Sequence, residues 1–216
     1  STVEIPASDG RCAENQARSE TDLIFSLFFF SRVQAFRNSW WSCRLLLGPR
    51  APLRLNVGKE GAEEASLAIM AGGAAEEFAT VTAALSAMGR PVHVGPVGAG
   101  QLAKLANQSI VGITIAAVAE AMLMLQNGGA DPAAVRAALK GGFADSTILQ
   151  LHGARMTTGD FTPGGLCTLQ LKDLNNAVSE AESFGLILPT LINTRDRFQR
   201  LVTKLDGAEL DHSALY

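Results

Sequence analysis

Lys104, Asn107 and Gln108 stand at i, i+3 and i+4 in the run Gly98-Ala-Gly-Gln-Leu-Ala-Lys-Leu-Ala-Asn-Gln108. On a helix these three polar ends share one face, while the intervening Leu and Ala residues turn elsewhere. An ammonium beside two carboxamides can deliver a proton, and the amides can hold the oxygens of a small polar substrate. Partial burial would bring the lysine pKa down to the range such a donor needs. An isolated lysine at a helix end more often snorkels to water. Two glycines ahead of it and two amides one turn on set this one apart.

That face requires a helix long enough to be buried. Across residues 101–126 the apolar side chains Leu102, Leu105, Ile110, Val111, Ile113, Ile115, Val118, Met122 and Leu125 are distributed all round, so most faces are expected under protein. Asn127-Gly128-Gly129 ends this central helix. Asp131-Pro132 supplies an N-cap with proline in the first turn and predicts a helix to residue 140. Asp145 or Ser146 caps another to residue 155, and residues 161–165 turn. A helix over 171–184 carries Lys172, Asp173 and Asn176. Pro189 opens a last one, with Leu191, Ile192, Phe198, Leu201 and Val202 as its buried stripe. Five helices around an apolar central one make the second half all-α.

The half before it has a different texture. Residues 67–73 read as a buried strand, 74–88 as an amphipathic helix with Phe78, Val81 and Leu85 at helical spacing, and 91–94 as a second strand. This is a strand, helix, strand unit of an α/β layer. The predicted class is therefore mainly α, an all-α C-terminal helical domain (98–216) following a truncated remnant of an α/β Rossmann-like domain (1–97). Within the first part, residues 21–57 are atypical. Between Asp22 and Glu60 there is no acidic residue, six basic ones, and seven of the thirteen aromatics of the chain. Interleaved Arg and aromatic residues suit a membrane surface or nucleic acid, but the lack of any regular period reads instead as an ill-matched insert.

A formal charge of −3 over 216 residues gives no global basic field. Nucleic acid and anionic membrane are thus not expected partners, and small molecules or proteins are. Cys12, Cys43 and Cys167 are scattered and odd in number, which fits a reducing, cytoplasmic setting better than a disulfide framework. His93, His152 and His212 are far apart in the chain and are expected to be unrelated, with no metal. The N-terminal residues do not read as a signal peptide, and no uninterrupted apolar run is long enough to cross a bilayer.

Several ordered stretches, taken together, resemble the β-hydroxyacid dehydrogenase family, the 3-hydroxyisobutyrate dehydrogenase-like enzymes. They are Leu67-Ala-Ile-Met-Ala-Gly-Gly, Gly98-Ala-Gly-Gln-Leu-Ala-Lys-Leu-Ala-Asn-Gln, Gly141-Gly-Phe-Ala-Asp-Ser-Thr, Phe161-Thr-Pro-Gly and Leu171-Lys-Asp-Leu. The resemblance runs from about Glu60 to the end. Leu-Ala-Asn-Gln, the Gly-Gly-Phe-Ala stretch and Asp211-His-Ser-Ala-Leu215 look most like the tartronate semialdehyde reductase (2-hydroxy-3-oxopropionate reductase) branch. It implies reversible hydride transfer between NAD(P)H and a small aldehyde acid, with Lys104 as proton donor and Asn107 and Gln108 on the substrate. By the same resemblance Lys172 and Thr2 touch the cofactor, and the helical domain joins copies into a homo-oligomer.

The departures bear on activity. The family's opening strand, G-x-G-x-x-G turn and helix, which hold the cofactor pyrophosphate, have no counterpart in this sequence, so weak cofactor binding is expected. Only Gly58 matches the family's substrate-binding Ser-Gly-Gly loop, and Pro163-Gly164-Gly165 replaces Pro-Gly-Phe. Besides the reductase, two readings stay open: a 3-hydroxyisobutyrate dehydrogenase-like enzyme, and a helical oligomerisation module without catalysis.

Overall fold

The computed structural model describes residues 53–56 and 66–216. Thr2 and most of 21–57 lie outside them. Strands β1 (Leu53–Asn56), β2 (Leu67–Gly72) and β3 (Gly89–Gly95) form one sheet in that order. β1 runs antiparallel to β2, with Leu53 opposite Ala71. β3 runs parallel to it, with Leu67 opposite Gly89. Helix α1 (Ala75–Ser86) makes the crossover between the parallel pair. Leu67, Ile69 and Ala71 alternate inward on β2 and bury a small core with Leu85, against which Phe78, Val81 and Met88 pack. Pro91 sits on β3, the last strand of the sheet among the described residues, where its missing N–H leaves no gap in a central ladder of those strands. The predicted strand, helix, strand unit is present. β1 has no signature in the sequence, because four residues of the atypical stretch are too few to show a period.

Five helices follow the sheet. α2 (Ala99–Asn127) is the axis, and α3 (Pro132–Leu139), α4 (Thr147–Thr158), α5 (Cys167–Ser183) and α6 (Pro189–Lys204) surround it, with a 3-10 turn at His212–Leu215. Four α-helices, rather than five, thus flank the central one. Their termini follow from local chemistry. The Asp131 side chain accepts from the Ala133 amide at 2.9 Å, and of the two candidate caps for α4 it is Ser146 that serves, accepting from Leu149 N at 2.9 Å. Ile115, Val118, Ala119 and Met122 of α2 meet Leu149 and Met156 of α4, Leu174 and Val178 of α5, and Leu191 and Phe198 of α6 in one core.

α2 is long and apolar enough by composition to cross a membrane, unlike the shorter runs considered above. Its packing is that of a core helix, with Ile115 and Ala119 fully buried among α4, α5 and α6. One face is nevertheless open. Leu102, Ala106, Ile110, Ala117 and Met124 fall within a quarter-turn of one another and are exposed, Ile110 at 66% and Met124 at 71%. The all-round apolar pattern predicts a more completely covered helix than this.

The start of α2 is set against the sheet by glycines. Gly98 caps it at φ 96°, in the left-handed region. A Cβ on Gly100 would stand 2.7 Å from the Met70 carbonyl oxygen, and one on Gly72 2.7 Å from that of Pro96. Only bare backbone lets the end of β2 and the first turn of α2 touch, and that contact places Lys104 one turn from the sheet.

Candidate active site

Lys104 is 9% exposed on the first turns of α2, and its Nζ donates to Gln108 Oε1 at 3.3 Å. Asn107 Nδ2 donates to the same oxygen at 3.0 Å. Gln108 Nε2 in turn donates to Asp173 Oδ2 on α5 at 2.9 Å. One helical turn thus brings the three sequence-predicted residues together, and a fourth, Asp173, closes the group from another helix. Burial is the main influence on the lysine and pulls its pKa from 10.5 to about 8, with the Asp173 carboxylate working the other way. Desolvation outweighs the pull of that carboxylate, to which the ammonium is linked through the amide of Gln108.

Gln108 is 6% exposed, and its carboxamide already serves Lys104, Asn107 and Asp173. Its position is that of a spacer between ammonium and carboxylate, while half-buried Asn107 stands nearer solvent. Lys172, beside Asp173 on α5, is exposed. In the sequence Asp173 stands out only as a neighbour of Lys172. The Lys-Asp pair in Leu171-Lys-Asp-Leu is the available signal, but nothing local says that the aspartate reaches residue 108.

The histidines were expected to be unrelated, and two of them are not. His152 Nε2 on α4 and His212 Nε2 lie 3.2 Å apart, with their rings edge to face at 89°. Asp211 is fully buried beside them. Its Oδ2 accepts from the amides of Gly164 (3.0 Å) and Gly165 (2.9 Å) and pairs with Arg155 at 2.9 Å. Its Oδ1 accepts from the amide (3.0 Å) and hydroxyl (2.6 Å) of Ser213. His152, Asp211 and His212 lie close enough to hold a metal ion. The carboxylate, however, is saturated by five donors and balanced by a guanidinium, so turning it to a cation would strand those donors. The group is a polar staple fastening residues 211–213 to α4 and the 161–165 turn. Gly165, where the resemblance calls for an aromatic residue, leaves room for the His212 ring, whose Cε1 lies 3.0 Å from where a Cβ would be. His93 is a third, separate case, with Nε2–H donating to the Gly73 carbonyl at 2.8 Å and its ring stacked on Phe78.

A buried lysine thus stands at the head of a core helix round which other helices pack and whose first turn is set against a parallel strand pair. The comparisons give the family. Residues 98–216 match the NAD-binding domain of NADP-dependent 3-hydroxyisobutyrate dehydrogenase, and residues 56–98 match the NAD binding domain of 6-phosphogluconate dehydrogenase. The chain belongs to the 3-hydroxyisobutyrate dehydrogenase family. It is 43% identical over 159 residues to the 2-hydroxy-3-oxopropionate reductase of Escherichia coli, covering 73% of this chain and 54% of that one. It is 31% identical over 156 residues to the 3-hydroxyisobutyrate dehydrogenase of Pseudomonas aeruginosa, covering 68% and 52%. The structure of Mycobacterium tuberculosis 3-hydroxyisobutyrate dehydrogenase with L-serine superposes with a TM-score of 0.68 at 26% identity, over 76% of this chain and 58% of that one. The chain spans about half the length of the curated relatives it matches.

Proposed function

We propose that this chain carries the proton-donating half of an NAD(P)H-dependent hydroxyacid dehydrogenase that reduces tartronate semialdehyde to glycerate. The observation that carries this reading is the buried Lys104 ammonium, its pKa brought down to about 8 and its position fixed through Gln108 and Asp173. The similarity to the Escherichia coli reductase favours that substrate over 3-hydroxyisobutyrate. The two-part organisation, 1–97 and 98–216, belongs to the same reading, as does a cytoplasmic location.

The reduction asks one thing of the protein at the reacting oxygen. As the aldehyde carbon accepts hydride, negative charge develops on its oxygen; Lys104 stabilises that charge and then transfers its proton, leaving a neutral amine that water reprotonates. Gln108 keeps the ammonium from collapsing onto Asp173, and Asn107 offers its amide to the substrate. The cofactor, when bound, supplies the hydride. The exposed ammonium of Lys172, one residue from the Asp173 that closes the lysine group, suits its anionic portions; Thr2 is its other proposed contact. Titration of NADH and NADPH by fluorescence, followed by turnover of tartronate semialdehyde, tests the reading. Binding of either nucleotide with turnover of the C3 aldehyde acid is expected. Absence of both at millimolar cofactor would leave this chain a non-catalytic helical module.

The open face of α2 supports a homo-oligomer. Leaving Ile110 and Met124 in water forgoes roughly 1.5–3 kcal/mol per side chain that burial would recover. A second copy presenting the same stripe would supply that burial in an isologous contact. Ile110→Lys is expected to dissociate the assembly in sedimentation velocity without changing the helical circular dichroism; an unchanged sedimentation coefficient would rule this face out.

A further inference from the structure

Gln170 on α5 is 2% exposed, and its Nε2 donates to the main-chain carbonyl of Gln108 at 3.0 Å. In a regular helix that carbonyl already accepts the amide of Gly112, so the carboxamide comes to it as a second donor from a neighbouring helix. Glycine at residue 112 leaves that approach clear. A Cβ there would lie 2.9 Å from Gln170 Nε2 and 3.1 Å from a methyl of Leu174. Asp173, one turn beyond Gln170 on α5, takes the side chain of the same glutamine at 2.9 Å. Gln108 is therefore held at two points from α5, once by its backbone and once by its carboxamide.

We propose that Gln170, seated in the notch over Gly112, is a positioning residue for Lys104: by fixing the main chain of Gln108 it leaves the amide between ammonium and carboxylate a single placement. A neutral spacer between two charges keeps them apart only while it cannot move. If Gln108 is released, water reaches the lysine or Asp173 swings to pair with it, and both changes favour the charged form. The functional meaning rests on Lys104 as proton donor, whereas the geometric claim does not.

The test needs no turnover. In the full chain, competitive acetylation of Lys104 from pH 6 to 11, read by mass spectrometry, reports the titration of its amine. Gln170→Met, similar in volume but without a donor, is expected to raise the apparent pKa of Lys104 by about one unit, and Gly112→Ala to move it the same way. Val178→Ala, further along α5 in the core, is expected to lower the melting temperature and leave that titration in place. An unmoved Lys104 titration in folded Gln170→Met overturns the proposal. So does unfolding of Gln170→Met under conditions where Val178→Ala stays folded, since the bond would then hold the fold rather than the lysine. Full turnover in Lys104→Ala would instead remove the proton-donor reading and leave the clamp standing.

Discussion

Lys104→Met is expected to abolish reduction and to stabilise the fold. A positioned general acid contributes about 10²–10⁴ in rate, and methionine keeps the length of the side chain without a proton to give. In the wild type the reductive rate is expected to be level below pH 8 and to fall about tenfold per unit above it, because the donor must be the ammonium, whose pKa is about 8. The stability effect has the opposite sign. Burial lowers the lysine pKa, so between about pH 8 and 10.5 the unfolded chain binds more protons than the folded one, and stability rises with pH over that window. At pH 7 the charged form bears a desolvation cost that the Asp173 carboxylate only partly offsets, and replacing it by an apolar side chain is expected to return about 1–3 kcal/mol. Urea melts at pH 7 and pH 10 read this directly: the variant should have the higher midpoint at pH 7 and a smaller gain on going to pH 10. A lower midpoint at pH 7 would mean that the ammonium is well solvated or well paired, and with it the argument for a tuned donor would go.

The part of the site that lies on one helix is legible in the sequence. Lys104, Asn107 and Gln108 are neighbours by helical spacing alone, and the glycines at 98 and 100 mark where that helix starts. Caps are legible for the same reason, since Asp131 and Ser146 act on amides two and three residues away. What lies across the core is not. Asp173 meets Gln108 over 65 residues and His212 meets His152 over 60, and no local pattern encodes which faces of two helices will oppose. Gly112 illustrates the limit: in the sequence it is a glycine that weakens a long helix, and only the packing of α5 reveals it as the notch for Gln170. The open stripe on α2 escapes a sequence reading because apolar residues right round a helix predict complete burial, whatever supplies it.

Asp211→Ala is expected to cost about 3–5 kcal/mol, because it leaves Arg155 without its counter-ion and strips the Gly164, Gly165 and Ser213 donors of their acceptor. Burial by itself would raise the Asp211 pKa, yet the hydrogen bonds from Ser213 and Gly165 hold it well below the usual carboxylate value. The neighbouring imidazoles make the same staple sensitive at milder acidity. Burial lowers the pKa of His152, and burial together with His152 lowers that of His212 to about 4. Both rings therefore take up protons less readily in the fold than in the unfolded chain, where they do so near 6.5. Below that pH the unfolded state binds more protons, so stability should decline from about pH 6.5 toward pH 4, and His212 alone contributes up to about 3 kcal/mol of the loss. Denaturation midpoints at half-unit intervals between pH 7 and pH 4 measure the slope, and His212→Phe should flatten it even if its midpoint at pH 7 is lower. A wild-type profile that stays level down to pH 4.5 would mean that the staple accepts a second positive charge beside Arg155, which the lone carboxylate of Asp211 is not arranged to balance.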